Sequence, residues 1–252
     1  MGLTLDSGRI AFIHDFDGVH YRYQDLPGIH DEFARLAQDS ALKILKDRNI
    51  ESDRAGVKAL LDQTYKDRGN PTYAISNMTE DKSFALKADF NRVRHAKLFE
   101  WMKEHHSYIC KIDEERIKYF EQLKIFGIKH GLLTAGEYEA FAKKFLEKNE
   151  TLKHFNISCL LDFAAVDGYS KMEHARPMEV AMYCMNVEPS QVVFIEDSLK
   201  NFKPIKEYYP EILTVLVNND EDQTSHDDVD MQFLDLNAFL KSASETFSSY
   251  HC

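Results

Sequence analysis

Residues 9–21 read RIAFIHDFDGVHY. The first six, Arg9 to His14, form a short apolar run, the pattern of a buried strand. The run stops on Asp15. A second acid follows at Asp17, with Gly18 behind it. The spacing therefore predicts a strand that delivers two carboxylates to the point where the chain turns away.

Beyond that turn the character changes. From about His30 to His106 the chain is charged and helical in period. Ile29, Phe33, Leu36 and Ala37 share one helical face, as do Val57, Leu60, Leu61 and Tyr65, and later Phe90, Val93 and Ala96. Gly69-Asn70-Pro71 interrupts this stretch with turn chemistry. After about Ile112, strands and helices alternate. Strands are expected near Ile128–Leu133, Ser158–Asp162, Gln191–Ile195 and Leu213–Val217, with a last strand and helix over Met231–Ser242. Strands separated by helices imply a parallel sheet covered on both faces. The predicted fold class is α/β: a Rossmann-like doubly wound parallel sheet core with an inserted helical cap domain. The expected divisions are core over 1–19, helical cap over 20–112 and the rest of the core over 113–252.

Three strand ends carry reactive polar residues: Asp15-Phe16-Asp17, Thr134-Ala135-Gly136 and Glu196-Asp197-Ser198. In an open parallel sheet the ligand crevice lies at the carboxyl ends of the strands, so these groups should converge. The remaining totals bound the partners. Forty-two acids against 31 bases give a net charge of −11. An acidic surface repels phosphate backbones, so nucleic acid is not an expected partner. Cys110, Cys159, Cys184 and Cys252 show no CxxC spacing and are expected to be reduced thiols. No apolar stretch approaches the ~18 residues of a membrane span. The N-terminus lacks the pattern of a secretory leader. The expectation is a cytoplasmic protein. An acidic loop, from Asp220 to Asp230, reads as a solvated segment.

The sequence resembles the haloacid dehalogenase superfamily. The family pattern opens with an apolar strand and DxDGT or DxDGV, matched by Asp15 to Val19. Its second motif is a strand ending in Thr or Ser, matched by Thr134. Its fourth is an apolar strand ending in an acidic pair, matched by Glu196-Asp197. The resemblance implies a Mg²⁺-dependent phosphatase acting on a small phosphorylated metabolite. Asp15 would be the covalent nucleophile and Asp17 the general acid and base. Thr134, with the backbone N–H groups of Phe16 and Ala135, would bind the phosphoryl oxygens. Asp15, Asp197 and the Asp17 carbonyl would hold the metal, with Glu196 acting through water. The third motif departs from the pattern. The family places a Lys, often before Pro, at a helix start; here the pair is Arg176-Pro177, and Lys171 lies five residues earlier. Arg176 is the preferred cation and Lys171 the rival.

About 40 residues separate Thr134 from Arg176, too few for a large α/β cap, so the resemblance points to the helical cap type. Within that type the chain looks most like pyrimidine 5′-nucleotidases. Tyr21 matches their first-motif tyrosine, and Thr64 to Gly69, including Tyr65 and Arg68, resembles their aromatic-to-glycine turn. Gly18-Val19 is more like β-phosphoglucomutase relatives. A sugar-phosphate phosphatase or phosphomutase with the same site is therefore the alternative, and a non-catalytic binder of phosphorylated ligands is the third reading. A 2-haloacid dehalogenase is disfavoured, since Asp17 and the acidic pair suit metal binding and proton transfer.

Overall fold

The computed structural model describes residues 10–79, 81, 83–217 and 226–249. Six parallel strands make one sheet: β1 (Ala11–His14), β2 (Lys129–Leu133), β3 (Phe155–Leu161), β4 (Val192–Glu196), β5 (Leu213–Val217) and β6 (Met231–Phe233). Their order is β3-β2-β1-β4-β5-β6. The first strand lies in the middle, and the chain winds outward from it in both directions, as a doubly wound sheet does.

Strand residues face two separate apolar layers. Phe12, Leu132, Val193, Ile195 and Val215 pack with Phe120 and Leu123 of α5 (Glu114–Ile125) and with Phe239 and Leu240 of α9 (Leu236–Ser249). Ala11, Ile13, Leu133, Phe194 and Leu216 pack on the other face. There they meet Met178 and Met182 of α7 (Arg176–Met185) and Phe202 and Ile205 of α8 (Phe202–Tyr208). Because successive strand side chains point to opposite faces, covering both faces requires the near-continuous apolar runs seen in β1, β4 and β5. Gly131, in β2, sits where a β-carbon would come within 2.6 Å of Cys159 Sγ and 2.8 Å of Met185 Sδ. The sheet and α7 approach closely at that point.

Between β1 and α5 the chain forms α1 (Ile29–Asp47), α2 (Arg54–Arg68), α3 (Ala74–Thr79) and α4 (Phe84–His105). These helices have an apolar cluster of their own, built on Ala41, Leu45, Val57, Leu61, Ile75 and Phe90. Asp53 caps α2, accepting from Gly56 N at 2.8 Å, and Gly69 ends that helix in the left-handed region at φ 67°. A β-carbon on Gly69 would fall 2.2 Å from Met172 Sδ. The turn after α2 thus rests on the loop between β3 and α7.

The segment after Gly136 is helical, beginning as a π-helical turn, Tyr138–Ala142, before α6 (Lys143–Lys148). One local reading is corrected. Of the acidic loop, Asp220, Glu221 and Asp222 lie outside the described residues. Asp230 is not merely solvated: its Oδ2 accepts from Lys206 Nζ at 2.5 Å, from Thr214 N at 2.8 Å and from Thr214 Oγ1 at 2.9 Å. It staples the approach to β6 onto β5. Among the described residues no helix is long and apolar enough to cross a membrane. Cys110, Cys159 and Cys184 carry free thiols; Cys252 lies outside the described residues.

Candidate active site

The register of the central strands sets the site. His14 stands opposite Leu132 on one side and Ile195 on the other. Asp15, Thr134 and Asp197 therefore leave the sheet near one level. The backbone N–H of Asp15 still donates to Ile195 O at 2.8 Å, and that of Thr134 to Leu161 O at 2.9 Å. Both residues are anchored by the ladder at the point where their side chains become available.

Lys171 reaches this level from the loop between β3 and α7. It is only 6% exposed. Its Nζ donates to Glu196 Oε2 at 2.8 Å and lies 2.7 Å from Asp15 Oδ1. Both contacts are buried ion pairs, so one ammonium bridges Asp15 and Glu196. Arg176, the cation preferred on sequence grounds, is elsewhere. It opens α7 with its side chain 55% exposed, and its guanidinium pairs with Glu179 one turn on, at 3.1 Å. A first-turn residue facing its own i+3 neighbour is held on the helix surface. The structure thus brings Lys171, not Arg176, to the acids.

Glu196 is used up by the protein. Its Oε1 accepts from the N–H groups of Asp197 and Ser198, at 3.0 and 3.1 Å. Its Oε2 accepts from Lys171 and from Asn201 Nδ2, both at 2.8 Å. With all these donors it organises the cluster. Asp15, Glu196 and Asp197 place one oxygen each within 4.8 Å of one another. The crowding shows in their proton affinities. Burial, then the charge of Glu196, pushes Asp15 and Asp197 well above the usual carboxylate range. Burial alone would also raise Glu196, but Lys171 and its other donors hold it below. Lys171 in turn is raised, because Asp15 and Glu196 outweigh its burial.

Asp17 stands beside this group. Tyr21, fully packed under it, donates its hydroxyl to Asp17 Oδ1 at 2.5 Å. Tyr21 is buried and is not among the residues that line the cavity, so of its two readings, packing and ligand contact, the packing one describes its surroundings. Burial raises Asp17 above its ordinary value, opposed by the Tyr21 hydrogen bond, then Arg94 and Lys171. Thr134 is buried, and its Oγ1 accepts from Gly136 N at 2.9 Å, leaving the hydroxyl proton as a donor. The ring of Phe16 packs edge-on against Phe141 and Phe145. Only its backbone is suited to a ligand. Gly18, at φ 76°, has no room for a side chain: a β-carbon there would lie 1.9 Å from Asp197 Oδ2.

These groups open into a cavity of about 740 Å³ bounded by both the strand ends and the helices. Tyr65 and Arg68, expected from sequence, line it. Tyr65 is 61% exposed, at the rim. Arg68 pairs with Glu173 at 3.1 Å and covers the Tyr73 ring at 4.6 Å. The sequence reading missed Asn70, Asn91, Arg94 and His95. Asn70 Nδ2 donates to Ala135 O at 3.2 Å, and Asn91 Nδ2 to Gly136 O at 3.0 Å. Both asparagines thus clip the helical segment to the loop that follows Thr134. The available signal was a polar face on α4, with Asn91, Arg94 and His95 within one turn. Helical periodicity alone reads such residues as solvated.

The comparisons with known proteins agree with this arrangement. The family model described as haloacid dehalogenase-like hydrolase matches residues 11–207. No curated protein matches the sequence. Among solved structures, the chain is similar to β-phosphoglucomutase from Clostridium difficile at 17% identity and a TM-score of 0.55, covering 96% of this chain and 98% of that one. It is similar to CbbY from Rhodobacter sphaeroides in complex with phosphate at 15% identity and 0.56, covering 90% and 94%. A family IA, variant 3 HAD hydrolase from Entamoeba histolytica gives 14% and 0.58, covering 95% and 99%. At such identities the likeness is one of fold.

Proposed function

The chain belongs to the haloacid dehalogenase-like hydrolase family, and from that premise we propose that it is a Mg²⁺-dependent phosphomonoesterase with Asp15 as nucleophile. The observation that carries this reading is the cluster at the strand ends. Asp15, Glu196 and Asp197 crowd together, and Lys171 offsets the first two. Three carboxylates against one cation leave an excess of negative charge on hard oxygen donors, which suits a divalent metal of the Mg²⁺ kind. Asp15, Asp197 and the carbonyl of Asp17 would hold it. When bound, it neutralises phosphoryl charge.

The residues divide the reaction as follows. Asp15 attacks phosphorus, and the bond to the leaving oxygen breaks. Asp17 gives that oxygen its proton, then takes one from the water that hydrolyses the aspartyl-phosphate. An acid held above its ordinary value by burial is suited to the first task. Thr134 donates to a phosphoryl oxygen. Lys171 steadies Asp15 and offsets phosphoryl charge. The helices between β1 and α5 act as a cap that covers the site, excludes water and selects the substrate.

Ligand cavities of roughly 300–1,000 Å³ take drug-sized molecules, so the volume here suits a sugar phosphate or a nucleoside 5′-monophosphate. With Tyr21 engaged by Asp17, stacking on a base would fall to Tyr65 at the rim. The test is phosphate release from a panel of nucleotides and sugar phosphates, with and without Mg²⁺. Turnover that stops in excess EDTA and returns with Mg²⁺ is expected. Full activity in EDTA would overturn the metal. Isomerised sugar phosphate without free phosphate would favour a mutase.

Tyr21→Phe tests the role of Asp17. The charged neighbours of Asp17 are Arg94, Lys171 and Glu196. Losing the Tyr21 donor removes a hydrogen bond to the charged form, so the Asp17 carboxyl rises further. A general acid must be protonated, so kcat/KM falls as pH climbs through its value. The alkaline limb of the profile should therefore move to higher pH in Tyr21→Phe. A limb that stays, or moves down, removes Asp17 from this role.

A further inference from the structure

Arg94 is a buried cation that the protein does not neutralise. It projects from α4, is 5% exposed and lines the cavity. Its Nη2 donates to Asn91 Oδ1 at 2.8 Å, while Nε is buried with no hydrogen-bond partner. Among the described residues no carboxylate forms an ion pair with it. Its other neighbours are the faces of Phe33 and Phe90, at 6.0 and 5.7 Å. The other deeply set cations are different. Lys171 has Asp15 and Glu196, and Arg116 has Asp113 at 3.4 Å. Charged side chains are almost never this buried unless paired. Burial pushes Arg94 down to about 10, which still leaves it charged at neutral pH.

Arg94 enters the cavity from α4 in the helical segment, whereas Asp15 and Lys171 line it from the sheet side. Asp17 is the acid that acts most on Arg94. Lys171 already serves Asp15, so Arg94 is a second buried cation facing the same cavity. Asn91, which orients Arg94, also holds the loop carbonyl of Gly136. The guanidinium is thus fixed relative to the reacting centre. A planar fork of this kind binds a carboxylate or a phosphoryl group through paired hydrogen bonds.

We propose that Arg94 binds a second anionic group on the leaving portion of the substrate, so that the preferred substrates are small phosphate monoesters that also carry a carboxylate or a second phosphoryl group. The inference rests on the phosphomonoesterase reading for the other end of the ligand. It narrows the substrate class to doubly anionic molecules with a short skeleton, lying along Phe33 and Tyr65.

Binding to the full-length Asp15→Asn protein with Mg²⁺, measured by calorimetry, tests this without needing turnover. Three probes share one carbon chain: 3-hydroxypropyl phosphate, 3-(phosphonooxy)propanoate and propane-1,3-diyl bisphosphate. At least one of the two doubly anionic probes should bind roughly 10- to 100-fold tighter than the singly phosphorylated alcohol, the scale of a hydrogen-bonded charge contact. Which one does so tells carboxylate from phosphoryl. Adding Arg94→Ala should bring that ratio to within about twofold of unity, and Arg94→Lys should restore part of it. Equal binding of all three probes at the outset overturns the inference. So does an equal loss for all three in Arg94→Ala, which would put Arg94 on the shared phosphoryl group. Arg94→Ala should also melt no lower than its parent, since it removes an unpaired buried charge; a large fall would make Arg94 structural and likewise overturn the inference. The phosphatase reading fails by a different result: no phosphate released from any of the three by the unmutated enzyme. In that case the binding ratio still decides the role of Arg94.

Discussion

Asp15→Asn lowers kcat by at least ~10³-fold, on the scale of losing a nucleophile, while the protein stays folded. The amide matches the carboxylate in size, so the packing at the end of β1 is kept. It cannot attack phosphorus at a useful rate. The electrostatics favour the variant's fold. Asp15 is held well above its ordinary value by burial and by Glu196, so its charge is costly where it sits. Lys171 keeps Glu196 as a partner at 2.8 Å. Thermal unfolding should therefore shift by no more than about 4 °C, the effect of roughly 1 kcal/mol in a domain of this size. Steady-state phosphate release, read beside a melting curve, checks both halves. Near-normal turnover sinks the covalent mechanism. Lost turnover with lost folding would make Asp15 structural.

Lys171→Ala and Arg176→Ala should differ sharply. Removing Lys171 strips its ammonium from a cluster of three crowded carboxylates. Loss of one charge-stabilising donor in such a site costs about 10²- to 10³-fold in rate. Breaking a buried pair by deleting one partner also costs roughly 3–5 kcal/mol of stability. Lys171→Arg keeps the charge and isolates the effect of shape, so it is the companion variant if the alanine protein unfolds. Arg176 makes one exposed contact with Glu179, of the kind worth about 0–1 kcal/mol. Its alanine variant should stay within about threefold in kcat/KM, or roughly 0.6 kcal/mol. The opposite pattern, with Arg176→Ala crippled and Lys171→Ala mild, would restore the Lys-Pro analogy and remove Lys171 from the site.

That analogy shows where sequence reading reached its limit. Strands β1, β4 and β5 were legible because both faces are buried, and buried faces demand apolar runs. Their polar ends were legible because a carboxylate closing such a run has no packing reason to be there. The cation of the third motif was only half legible, because Lys171, weighed there as the rival, comes from a loop. Loops have no period, so nothing in the string Tyr-Ser-Lys-Met-Glu says that the lysine is buried. A helix start next to proline was a visible landmark, and it favoured Arg176 over Lys171, the residue that stands beside the acids. Arg94 was hidden for a related reason. In α4 the positions that line the cavity, Arg94 and His95, are polar, so they resemble a face that meets water. Tyr21 was visible as a motif tyrosine, but its partner was not: four residues after Asp17 the chain has turned back, and the hydroxyl meets that acid.

Gly18 extends beyond its own turn. A β-carbon there would meet Asp197 Oδ2 at 1.9 Å, across 179 positions of sequence. Any replacement must be accompanied by a rotated or shortened side chain at 197, and any longer acid at 197 presses back on 18. The two sites form an epistatic pair, and contacting residues of this kind do not vary additively. The first and last motifs of the chain thereby share one space, and what either position tolerates is set by the other.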